Sequence, residues 1–422
     1  MPSTPDHAIE LVAAVLFAVA LVHTFAAKQL EPLSRRFPRH AGAFHLLGEV
    51  EVVFGFWATV LVLALALAAD GDTALAYVES RNYTEPLFVF VVMVVAASRP
   101  ILGTVVWAID RLARLVPSAQ AIARAWLGLA AVPLLGSVIT EPAAMTIAAL
   151  MLAPQIFKPQ ISERLKYLAL GVLFVNVSIG GTLSSYAAPP VLMVASPWHW
   201  DTGHMLAEFG WKAALAVVVN ASVATFLLRS QLTNDDGSSA SNPSYARVPI
   251  AVALVHIAVL IAIVMLAHHP VAFLGLFLLF LGYTRAYERH QSPLILKEAL
   301  LVGFFLAGLV VLVGLQGWWL QPIVSGLQPV TLFFGALALT AVTDNAALTY
   351  LGTLVELTEQ SKYMLVAGAV AGGGLTVIAN TPNPAGVALL RHGFADESVG
   401  AGELFVAAIG PTAVAAIAFL LP

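Results

Sequence analysis

Long apolar runs recur from one end of the chain to the other, separated by short polar or charged stretches. Each run is about 20 residues long, the length that a helix needs to cross a hydrocarbon core of about 30 Å. The pattern predicts an all-α polytopic membrane protein with about ten full spans. These spans are expected near residues 8–27, 41–69, 84–103, 167–196, 209–229, 248–267, 271–284, 297–316, 363–393 and 399–421.

Two further apolar segments, 119–154 and 325–357, are interrupted in the middle by polar residues. We interpret them as re-entrant hairpins, which return to the side of the membrane from which they started. Glycine pairs and prolines also interrupt the runs at 167–196 and 363–393, so these two spans are predicted to be broken helices. The stretch 104–118 is amphipathic and is expected to lie along the membrane interface.

A polar segment rich in Ser, Asn and Asp, Ser230 to Arg247, is typical of a flexible linker. It divides the chain into two halves, 1–229 and 248–422. We predict that each half is one structural repeat. The first repeat would hold spans 1–3, the hairpin 119–154, the broken helix 167–196 and the span 209–229. The second would hold the hairpin 325–357 and the broken helix 363–393.

Matching motifs in the two halves support the repeat. The stretch "VITEPAAMT" (138–146) aligns with "AVTDNAALT" (341–349), which places Glu141 opposite Asp344. Each is followed by a second motif that contains a glycine pair, "SIGGTLSSYAAPPVLMVA" (178–195) and "AGGGLTVIANTPNPAGVALL" (371–390). Helix-breaking residues in corresponding places of two halves indicate the binding site of a transporter.

The distribution of basic residues gives an orientation, because Lys and Arg are concentrated in cytoplasmic loops. With the N-terminus outside and both interrupted segments re-entrant, all the basic clusters fall on the cytoplasmic side, only Arg81, Lys212 and Lys362 fall outside, and the C-terminus is also outside. The first hairpin then opens from the cytoplasm and the second from outside, which is an inverted-topology repeat. Treating either hairpin as an ordinary span places later clusters on the wrong side. The clusters are Lys28/Arg35/Arg36/Arg39, Arg111/Arg114, Lys158/Arg164/Lys166, Arg229/Arg247, Arg285/Arg289/Lys297 and Arg391.

Composition narrows the function classes. Only 10% of residues are charged and 59% are hydrophobic, whereas soluble domains carry about 25% charged residues, so a soluble protein is excluded. The absence of cysteine excludes disulfides and thiolate metal sites. The net charge of −4 gives no indication of a nucleic-acid partner, and we expect none. No basic stretch precedes the first apolar run, so we expect a retained span rather than a cleaved signal.

Carboxylates predicted at membrane depth are the strongest candidates for chemistry. Burial disfavours the charged form of a carboxylate, so Glu141 and Asp344 could release a proton when a cation arrives and recover it when the cation leaves. We predict that they bind sodium. Nearby hydroxyl and amide groups would supply further oxygen ligands. These are Thr140, Thr343, Asn345, Ser184, Ser185, Thr376, Asn380, Thr381 and Asn383.

A structural role would explain the same carboxylates. Glu141 and Asp344 could cap the N-termini of half-helices, where the helix dipole favours a negative side chain. The two roles are compatible, since a cap at a hairpin tip can also bind an ion.

A second polar group, His45, Glu49 and Glu51, lies in the second span. His45 and Glu49 are one helical turn apart and could share a face. This spacing fits a proton relay and equally fits an interfacial pair or an interdomain hydrogen bond.

The motifs "VTDNAALT" and "GGGLTVIANTPNPAG" resemble those of the ion transporter superfamily, and the whole chain is similar to its sodium/proton antiporter group, which is related to arsenite and divalent-anion carriers. The resemblance implies a scaffold domain and a transport domain in each protomer, a homodimer, and an elevator-like movement. The tips depart from the Ser-Asn-Thr of the divalent-anion carriers, and Ala187-Ala188-Pro189 replaces the Asn-Thr-Pro of the second repeat.

We therefore expect a secondary active transporter of the plasma membrane, the inner membrane in a bacterium, that exchanges sodium or another monovalent cation for protons. It would be no enzyme and need no cofactor. Its partners would be the lipid bilayer, the cation and the proton. The alternative is an anion or organic-substrate carrier on the same scaffold, arsenite-like or sodium-coupled. A channel subunit or a membrane enzyme is a third possibility, although no nucleophile with a nearby base is apparent.

Overall fold

The structure, a computed structural model, describes residues 7–40, 42–43, 47–48, 50–115, 119–232 and 248–422. Within these residues every regular element is helical. The α-helices are, in chain order, α1 (His7–Arg36), α2 (Val50–Ala68), α3 (Gly71–Glu79), α4 (Thr84–Ala96), α5 (Arg99–Leu115), α6 (Gln120–Leu129), α7 (Ala131–Ile139), α8 (Glu141–Leu152), α9 (Glu163–Gly180), α10 (Pro189–Trp198), α11 (Thr202–Met205), α12 (Trp211–Leu232), α13 (Ile250–Met265), α14 (Pro270–Ala286), α15 (Leu296–Val313), α16 (Gly317–Val324), α17 (Pro329–Thr340), α18 (Asn345–Gly352), α19 (Glu359–Gly372), α20 (Asn383–Leu390) and α21 (Ala401–Phe419).

Apolar helices make up much of the fold, which agrees with the predicted all-helical membrane class. Among the described residues, 5 helices are long and apolar enough to cross a membrane, or up to 7 if each bent pair forms one span. One of the five is a continuous helix, Thr202–Leu232, in which α11 and α12 are joined by a π-helical turn. Several apolar helices of 10–17 residues accompany them, and one helix of each interrupted segment, α8 and α17, is among these.

The predicted span 84–103 is wrong as a single helix. The chain bends by 63° between α4 and α5. Pro100 explains the break, because proline fits the first turn of a new helix but lacks the N–H that would continue the old one. The amphipathic segment therefore begins at Arg99, earlier than the sequence pattern indicates, and runs to Leu115.

The first interrupted segment folds back on itself. Helix α6 bends by 41° into α7, and α7 packs against α8 after a turn at Thr140. Pro133 lies in the first turn of α7 and has no N–H for the carbonyl of Leu129. That carbonyl instead accepts a hydrogen bond from Nδ2 of Asn176, at 2.8 Å.

The second interrupted segment has the same plan, with α17 leading to a tip at residues 341–344 and α18 leading away. Each segment is followed by a broken helix. Helix α9 ends at Gly180 and α10 begins at Pro189, while α19 ends at Gly372 and α20 begins at Asn383. Both predicted breaks are therefore present in the structure.

The hairpins and broken helices of the two halves pack crosswise. Helix α8, which leaves the first tip, packs against α20, the second part of the other half's broken helix. Likewise α18, which leaves the second tip, packs against α10. A separate group formed by α1, α2, α4 and α15 packs beside them. This crossing brings both tips and both breaks into one region.

Candidate functional site

The first hairpin tip holds Glu141 in an unusual backbone turn. Thr140 adopts φ 78° and ψ 152°, a conformation that is strained for a residue with a β-carbon. Glu141 begins α8 and is 0% exposed. Its backbone N–H donates to the carbonyl of Ala187 at 3.4 Å, so the tip rests on the break that follows α9.

The carboxylate of Glu141 points to the other half of the chain. Its Oε2 accepts a hydrogen bond from Nδ2 of Asn380 at 2.8 Å. Its Oε1 is buried and has no hydrogen-bond partner among the described residues. Gly181 lies against this oxygen so closely that a β-carbon there would be 2.5 Å from Oε1. The glycine pair therefore makes room for the carboxylate.

The second tip uses its carboxylate differently. Oδ1 of Asp344 accepts hydrogen bonds from the backbone N–H groups of Ala346 at 2.8 Å and Ala347 at 3.2 Å, so Asp344 caps α18. Its Oδ2 accepts a hydrogen bond from the hydroxyl of Thr381 at 3.1 Å. The capping interpretation thus applies to Asp344. In the part of the chain that is described, Glu141 makes no such cap.

One dipeptide connects the two tips. Asn380 donates to Glu141 and the next residue, Thr381, donates to Asp344. Through these two adjacent residues the carboxylates of Glu141 and Asp344 are held near each other. The sequence alignment places Ala187 and Ala188 opposite this dipeptide, so the first break has no polar side chain at the two positions that bind the carboxylates in the second.

The two halves make a second contact across the site. Nδ2 of Asn345 lies 3.5 Å from Oγ of Ser178, at the end of α9, and this hydroxyl donates to the carbonyl of Val370 at 2.8 Å. Gly373 packs here, because a β-carbon would be 2.2 Å from the Ser178 hydroxyl. Each tip therefore contacts its own break and the broken helix of the other half.

Several buried oxygens around this region have no hydrogen-bond partner within the described ranges. Leaving a buried polar group unsatisfied costs about 1–3 kcal/mol, so such a group usually contacts a water or an ion. Amide, hydroxyl and carboxylate oxygens are ligands that suit hard cations. The oxygens are Oε1 of Glu141, Oδ1 of Asn345, Oδ1 of Asn380, Oδ1 of Asn383 and Oγ1 of Thr140.

A cavity of about 40 Å³ opens beside the second tip. Its polar lining residues are Asp344, Asn380, Thr381, Thr343 and Thr24, and Phe54 of α2 and Phe305 of α15 form part of its apolar wall. A cavity needs about 10–15 Å³ of such space to hold one water. This cavity can thus hold a small ion or a few waters, and it lies where the hairpin region meets the neighbouring helix group.

The remaining predicted ligands are less directly placed. Thr376 donates to the carbonyl of Ala341 at 2.8 Å, within the second tip. Ser184 donates to the carbonyl of Ser137 at 2.7 Å, and so holds the first tip. Ser185 instead pairs with Thr202 at 3.2 Å, and the hydroxyl of Thr343, in the tip, donates to the carbonyl of Leu339 at the end of α17 at 2.9 Å. Thus Thr376 and Ser184 shape the tips, whereas Ser185 and Thr343 bond away from the two carboxylates.

The proposed proton relay stays a prediction. His45 and Glu49 lie outside the described residues, as do residues 233–247 of the predicted linker. Glu51 falls within α2.

Sequence reasoning missed several residues of this region. Ser178 and Ser137 contribute hydroxyls, and Gly181 provides the space for Glu141. Ser178 lies two residues before the glycine pair of the first repeat, and this proximity was the available signal. Ser137 carried no sequence signal, because its role depends on the turn between α7 and α8.

Comparison with known families identifies the chain. Residues 8–422 match the family described as "Putative Na+/H+ antiporter". The chain belongs to this family. The predicted resemblance is therefore confirmed, and the antiporter-family protein is a transporter rather than an enzyme.

The antiporter-family chain also resembles a solved structure. This is the YdaH transporter of Alcanivorax borkumensis, described as having an unusual topology, with 14% sequence identity and a TM-score of 0.44. The alignment covers 88% of this chain and 96% of that one. Among curated proteins the chain has no match.

Proposed function

We propose that the protein exchanges sodium for protons and that Glu141 and Asp344 are the groups that alternate between the two. The observation that carries the proposal is the pair of hydrogen bonds from adjacent residues, Asn380 to Glu141 at 2.8 Å and Thr381 to Asp344 at 3.1 Å. These bonds join carboxylates from both hairpin tips to one dipeptide, and Asp344, Asn380 and Thr381 line a small cavity. Family membership supports transport of this class.

The exchange follows from the chemistry of the buried carboxylate. Glu141 is fully buried, and no cationic group pairs with it among the described residues. A lone charge in such a place is unfavourable, so the carboxylate is stable when it holds either a proton or a cation. Sodium would displace the proton and contact Oε1, which has no partner in the described protein. Competition for one carboxylate couples the two fluxes.

Asp344 would complete the site from the second tip. Its Oδ1 is committed to the N-terminus of α18, while Oδ2 accepts a hydrogen bond from Thr381, and the residue borders the cavity. The N-terminus of α18 contributes partial positive charge, which stabilises the ionised form of Asp344. Glu141 lacks such a cap in the described structure, so we infer that Glu141 carries the proton and Asp344 stays charged for more of the cycle.

The membrane arrangement belongs to the same proposal. The two hairpins would enter from opposite faces, the first from the cytoplasm, and both termini would lie outside. About ten spans and the two hairpins would form the protomer. The crosswise packing of α8 on α20 and of α18 on α10 supports two related halves. The protein would lie in the plasma membrane, the inner membrane in a bacterium, as a homodimer.

The test is reconstitution of the purified chain into proteoliposomes that hold a proton gradient, read with a pH-sensitive dye. Sodium, lithium or potassium is added in turn. We expect saturable collapse of the gradient on sodium addition in the wild type and none in the double variant Glu141→Gln/Asp344→Asn. Collapse that persists in a correctly folded double variant would contradict the assigned site. No response to any of the cations would contradict exchange and favour an anion or organic-substrate carrier, which an uptake assay under a sodium gradient would test.

A further inference from the structure

A second cavity, unrelated to the carboxylates, lies between the amphipathic helix α5 and helix α13. Its volume is about 530 Å³, which is within the range of sites that hold organic ligands. Helix α5 contributes Arg99, Trp107 and Arg111 to the lining. The opposite wall is apolar and comes from the beginning of α13, including Ile250 and Leu254.

The polar part of this cavity is basic. Two of its lining residues are arginines, and none of the described lining residues is acidic. The acidic residue of the same helix, Asp110, is paired instead with Arg124 at 3.2 Å. A guanidinium group forms paired hydrogen bonds with phosphate oxygens, so this arrangement suits a phosphate ester.

The guanidinium of Arg111 is held at the rim. It lies 5.6 Å from the centre of the Trp107 ring, in a cation–π contact. Tryptophan and arginine together are typical of the membrane interface, where the ring meets the headgroup layer and the cation faces the phosphates. Helix α5 runs at 63° to α4 and so turns away from the direction of that helix.

The apolar surroundings of the cavity are exposed on the protein. Trp107 is 56% exposed, Leu115 79%, Ile250 78% and Leu254 59%. Large aliphatic side chains with that exposure are stable in contact with acyl chains. The ligand must therefore combine an anionic head, placed at Arg111, with an apolar part that lies along α13.

We propose that this cavity binds an anionic phospholipid, with its phosphate at Arg111 beside Trp107 and an acyl chain against Ile250 and Leu254. Basic pockets between helices on the cytoplasmic side of a membrane bind such headgroups. The site is distinct from the exchange site and does not depend on the proposed exchange. Its occupant would fasten α5 to α13 across the boundary between the two halves.

The test reconstitutes the full chain in mixed vesicles of phosphatidylglycerol and phosphatidylethanolamine. The protein is then extracted in mild detergent, and native mass spectrometry measures the lipid that it retains. We expect phosphatidylglycerol to be retained in preference to phosphatidylethanolamine. The variant Arg111→Glu is expected to reduce retention at least about tenfold. The matched control is Arg114→Glu. Arg114 is exposed and belongs to the same helix but does not line the cavity, so we expect this variant to change retention less than about twofold.

A second variant tests the space rather than the charge. Ala253→Trp adds a neutral ring to the lining and leaves both arginines in place, and it should also expel the lipid. The proposal is wrong if Arg111→Glu and Arg114→Glu reduce retention equally, since that indicates diffuse attraction to a basic helix. It is also wrong if Ala253→Trp retains the lipid, if both phospholipids are held equally, or if inorganic phosphate alone displaces the lipid.

Discussion

Nδ2 of Asn380 donates a hydrogen bond of 2.8 Å to Oε2 of Glu141, and these two residues are 239 positions apart. The bond joins the tip of the first hairpin to the break in the second broken helix. Thr381, the residue after Asn380, donates a hydrogen bond of 3.1 Å to Asp344. Movement of this single break would therefore alter the surroundings of both carboxylates at once.

Replacing Glu141 by Gln tests the charge alone. The amide oxygen of Gln can still accept from Asn380, so the fold should be kept while the group can no longer exchange a proton for a cation. We expect sodium-driven collapse of a proton gradient to fall at least about tenfold. The matched control is Glu85→Gln, because Glu85 is also buried and accepts from Asn82 at 3.2 Å. Equal activity of Glu141→Gln and wild type would exclude Glu141 as the exchanging group.

Two substitutions of Asp344 separate its cap from its charge. Asn is as good an N-cap as Asp, so Asp344→Asn should leave the free energy of unfolding unchanged. Asp344→Ala removes the cap of α18 and should lower the free energy of unfolding by about 1 kcal/mol. We expect both variants to lose exchange. Thermal unfolding in detergent measures the first effect and the vesicle assay the second. Exchange that survives in Asp344→Asn and disappears only in Asp344→Ala would mean that Asp344 acts only as a cap.

Gly181→Ala should displace the carboxylate of Glu141. The new β-carbon would lie 2.5 Å from Oε1 and 2.6 Å from Cγ of Glu141, so the carboxylate must leave its position beside Asn380. Overpacking of this kind costs about 1–3 kcal/mol, and we expect exchange to be lost. Gly275→Ala is the control, because a β-carbon there would meet no described atom within 4 Å beyond its own helix backbone and chain neighbours. Ala in a helix interior raises the free energy of unfolding by as much as about 1 kcal/mol relative to Gly. Normal exchange by Gly181→Ala would show that the carboxylate tolerates displacement.

Asn176 should matter for folding and not for chemistry. It donates to the carbonyl of Leu129, which Pro133 leaves without its helical partner, and it accepts from Asn220 at 3.0 Å. Asn176→Leu leaves these buried groups unsatisfied, so we expect the free energy of unfolding to fall by about 1–3 kcal/mol. Unfolding in detergent measures this change.

The control for Asn176→Leu is Thr225→Val. The Thr225 hydroxyl is buried but donates only within its own helix, to the carbonyl of Ala221 at 2.7 Å, so we expect a much smaller change. Equal destabilisation by the two substitutions would show that the Leu129 carbonyl does not need Asn176.

Most helices could be predicted because their signals are local. Apolar runs gave α13, α14, α15 and α21 to within a few residues, and prolines placed the breaks before α10 and α20. The bend between α4 and α5 was missed because the run 84–103 is largely apolar before Ser98 and again after Pro100, so hydropathy alone does not register Pro100 as a helix start. The short helices α3 and α16 lie between spans and lack a long apolar run.

The candidate ligands show the limit of motif reasoning. Asn380 and Thr381 were chosen for their chemistry beside a helix break, and the structure places them on Glu141 and Asp344. Ser185 was chosen on the same grounds but pairs with Thr202. Both serines and threonines offer the same oxygen in the sequence, and only the path of the chain through the break decides which one faces the site.

The sequence by itself determined that the chain is an all-helical membrane protein with two interrupted segments, each followed by a broken helix, because hydropathy, glycine and proline act through local chain physics. It also singled out Glu141 and Asp344, since a carboxylate within an apolar run is costly wherever it lies. Tertiary structure alone decided that Asp344 caps its helix while Glu141 does not, and that one break serves both tips. These facts depend on which helices cross and how closely glycines let them approach, and such long-range geometry leaves no mark on neighbouring residues.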